Sequence, residues 1–150
     1  MAGTTTQTAD APRIDSITAA LDVIGDRWSL LVLRSVFRGL HRFSHLRDDL
    51  GIASNLLTAR LRRLVDEGVL EKVQYSDRPV RYEYRLTDSG RDLSPVLISL
   101  MQWGDEHRND GQQPTVLSHS TCGSQVHNIT KCTTCDTAVE ATEIGRMPRP

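Results

Sequence analysis

Along this chain apolar side chains recur at helical spacing, switch to alternation near the middle, return to helical spacing, and then thin out. Ile17, Leu21 and Ile24 share one face of a first helix that starts at Ser16 and breaks at Gly25. Trp28, Leu31, Val32, Val36 and Phe37 make a second, more apolar helix that stops near Gly39 and belongs at the centre of the core. A Trp opening such a helix reads as packing rather than as a ligand contact. Leu46 and Leu50 mark a short helix over Ser44 to Leu50, with Ser44 as its cap and Gly51 as its end. Leu57, Leu61, Leu64 and Val65 then turn inward on a helix from Ser54, its expected cap, to Gly68. Val69, Glu71, Val73 and Tyr75 alternate with Leu70, Lys72 and Gln74, the turn residues Ser76 to Pro79 follow, and Tyr82, Tyr84 and Leu86 resume on one side. This predicts a hairpin. Thr87 or Asp88 can cap a last helix to His107, loosened early by Gly90 and Pro95 and carrying Leu93, Val96, Leu97, Leu100, Met101 and Trp103.

Two short helices joined through a glycine turn, with a polar and basic outer face on the second, form a helix-turn-helix pattern; the basic hairpin after it supplies a wing. The fold class is therefore α+β: a winged helix-turn-helix domain over residues 15–107, with an additional C-terminal dimerisation helix, followed by a small zinc-ribbon-like segment. Residues 1–14 read as a disordered tail, 108–115 as a polar linker, 116–142 as the zinc-ribbon-like segment and 143–150 as a tail. The apolar surface of the last helix is more than one small domain needs to hide, so a twofold homodimer is expected.

Composition changes this picture only through its distribution. The 150 residues carry a formal net charge of -1, which argues neither for nor against nucleic acid. Residues 34–91, however, hold 12 Lys+Arg against 8 Asp+Glu, while the remainder holds 6 against 11. The basic excess lies where phosphate contact requires it. Asn55, Thr58 and Arg62 are the candidates for reading bases; Ser54, Arg60, Arg63, Arg78 and Arg81 are the candidates for holding the backbone. No apolar run is long enough to cross a bilayer, and the first dozen residues lack the order of a signal peptide, so a cytoplasmic protein is expected.

The segments ALDVIGDRWSLLVLRSVFRGLHRFSHLRDDL, GIASNLLTARLRRLVDEGVLEK and YEYRLTDSGRDLSPVLISLMQWG together resemble the HxlR-type family of bacterial winged-helix transcription regulators, relatives of the MarR group. The resemblance spans residues 15 to 107. It implies a homodimer on a palindromic operator of double-stranded DNA, the helix from Ser54 in the major groove, the hairpin as wing, and no catalytic activity. Many members of the family sense electrophiles or oxidants through a cysteine shortly before the ALDVIG motif. The matching position here is Asp15, which cannot form a disulfide.

All three cysteines follow residue 120, a poor disulfide framework but a plausible metal site. His119 and Cys122, and Cys132 and Cys135, have the spacing of two knuckles that converge on one structural zinc; His127 competes with His119 as the fourth ligand. No histidine has Glu two residues on, as a zinc deaminase requires, and no phosphate-cradling loop or nucleophile constellation is present. Two further readings stand beside a DNA-binding repressor: a protein-docking adaptor of the transcription machinery, and a redox- or metal-responsive regulator that uses the cysteine cluster.

Overall fold

The structure is a computed structural model that describes residues 15–145, so the tail expected over residues 1–14 and the end of the chain lie outside the described residues. The described chain divides into two compact units, one reaching Asp92 and the other beginning at Leu93. The expected winged domain extends to residue 107, whereas this division groups the last long helix with the C-terminal segment.

The first unit opens with α1 (Ser16–Ile24) and α2 (Arg27–Phe37). Each starts on an aspartate whose carboxylate accepts backbone N–H groups of the first turn. Asp15 takes Ile17 N at 2.9 Å, and Asp26 takes Trp28 N at 3.0 Å and Ser29 N at 3.1 Å. The helices α3 (Phe43–Leu50) and α4 (Ser54–Asp66) follow. Neither is capped as the sequence predicts. Arg42 precedes α3 and Ala53 precedes α4, with no side-chain cap on either, and Ser44 and Ser54 lie inside the helices. Both helix ends agree with expectation. Gly51 closes α3 at φ 58°, and Gly68, at φ 70°, lets its own N–H reach Val65 O while Val69 N reaches Leu64 O.

These helices enclose the core. Val32 and Leu33 of α2, Leu46 of α3, and Leu57, Leu61 and Leu64 of α4 are completely buried. Trp28 is only half-buried, with the Arg27 guanidinium 5.4 Å from its ring centre. Asp49 of α3 ties α2 to α3: it accepts a 2.6 Å hydrogen bond from the buried Ser35 hydroxyl and faces Arg34 and Arg38 at 3.5 and 3.4 Å.

The hairpin pairs β1 (Leu70–Asp77) with β2 (Val80–Leu86), antiparallel, with a bulge between Gln74 and Ser76 and a turn at Arg78-Pro79. Two contacts fix its base. Tyr84 N donates to His41 O at 2.8 Å beside an Arg42–Glu83 bridge, and the Thr87 hydroxyl donates to Gly68 O at 2.6 Å. The wing is thereby attached both to the start of α3 and to the end of α4. The expected single helix after the hairpin is two: α5 (Asp88–Arg91) and α6 (Ser94–His107). Pro95 causes the break, because it is tolerated only in the first turn of a helix, where it sits in α6. Thr87 caps α5 by accepting from Gly90 N at 3.1 Å.

In the second unit, α6 carries Val96, Leu100 and Trp103 on one exposed face. Beyond it the chain makes two small turns, closed by the bridges Ser118–Gln125 and Lys131–Ala138. Among the described residues no helix is long and apolar enough to cross a membrane.

Candidate nucleic-acid interface

The outer face of α4 is built from beneath. Leu57, Leu61 and Leu64 are fully buried at helical spacing, which obliges Asn55, Thr58 and Arg62 to face outward, and all three are exposed. Asn55 Oδ1 accepts from Leu56 N at 2.9 Å, and among the described residues its amide NH2 has no acceptor and can donate outward. The Thr58 hydroxyl donates back to Ser54 O at 2.8 Å and so offers the outside an acceptor and a methyl group. Arg62 is 82% exposed, and among the described residues its ion-pair partner is Asp66, one turn on at 3.6 Å. An exposed pair of this kind is weak enough to exchange for a phosphate or a base edge. Ser54, the first residue of the helix, is also exposed.

Arg60 and Arg63 are engaged by the chain itself. Arg60 Nε lies 3.1 Å from Asp26 Oδ1, but its N–H is off the oxygen direction, so the contact is an ion pair rather than a hydrogen bond. Burial alone would raise the Asp26 pKa; the Ser29 hydrogen bonds and the Arg60 cation outweigh it and hold the carboxyl below its ordinary value. Arg63 donates to the backbone carbonyl of Asp22. These two arginines brace α4 against α1 and the start of α2, roles that periodicity alone does not show.

At the tip of the wing Arg78 and Arg81 are both exposed. Between the wing and the start of α3 lies an open cleft of about 370 Å³, with Arg42 stacked 4.6 Å from the Tyr75 ring centre and Lys72 4.1 Å from that of Tyr82. These flanking cations were not among the sequence candidates. The alternating pattern of the hairpin contained the signal, since Lys72 stands on the face opposite Val73.

The metal-ligand candidates form two pairs. His119 Nδ1 lies 3.3 Å from Cys122 Sγ; Cys132 and Cys135 share the second turn, where Cys132 O accepts from Asp136 N and Cys135 Sγ lies 3.0 Å from the Thr137 hydroxyl. The pairs are not joined: among the described residues no three His, Cys, Asp or Glu side chains are gathered as a metal-holding group. Hydrogen bonds from Ser124 bring the Cys122 thiol down to about 7, and those from Thr137 do the same for Cys135. The rival His127 contacts Gln102 of α6 at 3.0 Å through its Nδ1.

Comparison with known proteins agrees with this architecture. A family model described as HxlR-like helix-turn-helix matches residues 23–112. The HTH-type transcriptional regulator Rv3095 of Mycobacterium tuberculosis, itself uncharacterised, is 42% identical over 91% of this chain and 87% of its own length. The crystal structure of PA1607, a proposed transcription factor, covers 93% of this chain and 97% of its own at 35% identity, with a TM-score of 0.82. The redox regulator HypR, in its reduced form, is 31% identical over 64% of this chain and 96% of its own, with a TM-score of 0.60.

Proposed function

The chain belongs to the HxlR-like helix-turn-helix family, and from that premise we propose that it represses transcription as a homodimer, laying α4 of each subunit into the major groove of a palindromic operator. One observation carries this reading. Asn55, Thr58 and Arg62 form an exposed polar row on a helix whose opposite face is completely buried, so the row is presented rigidly and its donors and acceptors are positioned before DNA arrives. Arg62 reads a guanine edge, and Asn55 offers an amide that suits adenine. Ser54, Arg78 and Arg81 hold phosphates, and Arg60 and Arg63 keep the helix at its angle.

The second subunit covers the exposed apolar row Val96, Leu100 and Trp103 on α6, and the exposed Ile17 and Leu21 of α1 supply a further patch of the same kind. Dimerisation places two α4 helices on successive turns of one DNA face, about 34 Å apart. The family's sensing position is Asp15 here, and its carboxylate is committed to capping α1. Any thiol-based redox signal would have to enter through Cys122, Cys132 or Cys135, the three cysteines of the chain.

The test is recovery of genomic fragments on the purified protein, followed by gel shift of the enriched duplex. Enrichment of one inverted-repeat sequence supports the reading. Failure to enrich any duplex at moderate salt would move the chain to the docking-adaptor class.

A further inference from the structure

Thirteen residues apart, the second unit makes the same backbone turn twice. His119 N donates to Ser124 O and Gly123 N to His119 O, both at 2.8 Å; Cys132 N donates to Thr137 O and Asp136 N to Cys132 O, both at 3.0 Å. The flanking pair repeats as well, Val126 N to Leu117 O and Val139 N to Thr130 O. Each turn closes through a left-handed residue just after its second ligand candidate, Gly123 at φ 72° and Asp136 at φ 53°. A polar group lies against the second candidate's sulfur in each turn: His119 Nδ1 at 3.3 Å from Cys122 Sγ, and the Thr137 hydroxyl at 3.0 Å from Cys135 Sγ. The result is two loops that each set a pair of side chains, at positions i and i+3, on one side of a tight hairpin.

Nothing apolar explains why these turns hold. From residue 108 to residue 145 no side chain is buried, and only Leu117, Val126, Cys132 and Val139 are half-buried. A segment with so little core needs a cross-link. Three cysteines cannot pair completely, and a disulfide between Cys132 and Cys135 would leave the His119–Cys122 turn unexplained. The connection between the turns is committed elsewhere: the Asn128 side-chain amide donates to Pro95 O at 3.0 Å and also contacts the Ser99 hydroxyl, while its backbone N–H reaches Gln102 Oε1 at 3.2 Å. With its Nδ1 on the same Gln102, His127 belongs to this anchor, which leaves His119 as the imidazole that stands in a turn beside a cysteine.

We infer that the segment binds one zinc ion per chain through His119, Cys122, Cys132 and Cys135, a closed structural site that draws the two turns onto each other. The nine residues from Gly123 to Lys131 can span about 30 Å when extended, far more than tetrahedral ligation with ligands about 2.0 to 2.3 Å from the metal requires. The three cysteines ligate as thiolates, their protons pass to solvent, and the imidazole ligates neutral.

The experiment is metal analysis of the purified full-length chain, with cobalt(II) exchanged for zinc and its absorption used to count thiolates. One zinc per chain, and a tetrahedral cobalt spectrum with three thiolates, are expected. Cys132→Ser and Cys122→Ser should lose the metal, His119→Ala should bind it more weakly, and His127→Ala should keep it. A reduced chain that takes up no added zinc, one metal per two chains, or loss in His127→Ala with retention in His119→Ala would each overturn the assignment. The cobalt spectrum needs no variant, so misfolding of a substituted chain does not shield the claim.

Discussion

The Arg60 guanidinium stands 3.1 Å from the Asp26 carboxylate, so the charge that a DNA-binding helix would ordinarily offer to phosphate is used here to fix that helix against the first turn of α2. Asp26 therefore has two duties: it caps α2 and it orients α4.

Replacing Asp26 with Asn separates these duties, because Asn caps a helix about as well as Asp but carries no charge. Both partners are about a third exposed, so solvent screening limits the pair to roughly 0.5–1 kcal/mol in a double-mutant cycle with Arg60→Ala. The pH dependence has a definite sign. The folded carboxyl titrates below its ordinary value of 3.8, so its contribution is complete above that value and is lost as pH falls through the folded one. Urea unfolding should show wild type and Asp26→Asn converging as pH drops below about 4. A difference that persists unchanged in strong acid would assign the effect to something other than charge.

Gly90 packs so closely against the wing that a Cβ there would meet Val69 O at 2.2 Å and Leu86 Cδ2 at 3.1 Å. Backbone cannot yield that distance without moving the junction between α4 and the hairpin. Gly90→Ala should therefore destabilise the fold by about 1–3 kcal/mol, read as a lower urea midpoint at unchanged slope. A midpoint equal to that of wild type would mean that α5 shifts freely and does not clamp the wing.

On α6, Leu100 is 48% exposed between Val96 and Trp103. Leu100→Glu puts a charge into the proposed subunit contact at little cost to an isolated chain. Sedimentation equilibrium should give about twice the 16.8 kDa chain mass for wild type and the single-chain mass for the variant. Equal masses for the two proteins would remove α6 from the interface.

The sequence made the helices legible because the buried positions Val32, Val36, Leu46, Leu57, Leu61 and Leu64 come from helical segments whose apolar face must point inward, although on the second helix Leu33, not Leu31, is the fully buried leucine. Their starts were harder to place. Ser44 and Ser54 have the chemistry of caps, but Arg42 and Ala53 take the extended conformation before each helix, so both serines fall one or two residues too late. Gly90 and Pro95 signalled a disturbance, and the structure turns it into a complete break between α5 and α6. The inward engagement of Arg60 and Arg63 depends on Asp26 and on the Asp22 carbonyl, residues more than thirty positions away, and no local pattern carries that information. The spacing of the cysteines was visible in the sequence; the hydrogen bonds that make the two turns copies of each other were not.

That Asn55, Thr58 and Arg62 read DNA is tested most directly by anisotropy titration of the enriched duplex, and of one with its symmetric guanines exchanged, across a salt series, using wild type, Arg62→Ala and Arg78→Ala. Arg62→Ala should lose about 1–3 kcal/mol of discrimination between the two duplexes, while Arg78→Ala should weaken both equally and reduce the salt slope by about 1. Equal discrimination and equal slopes for all three proteins would contradict the account.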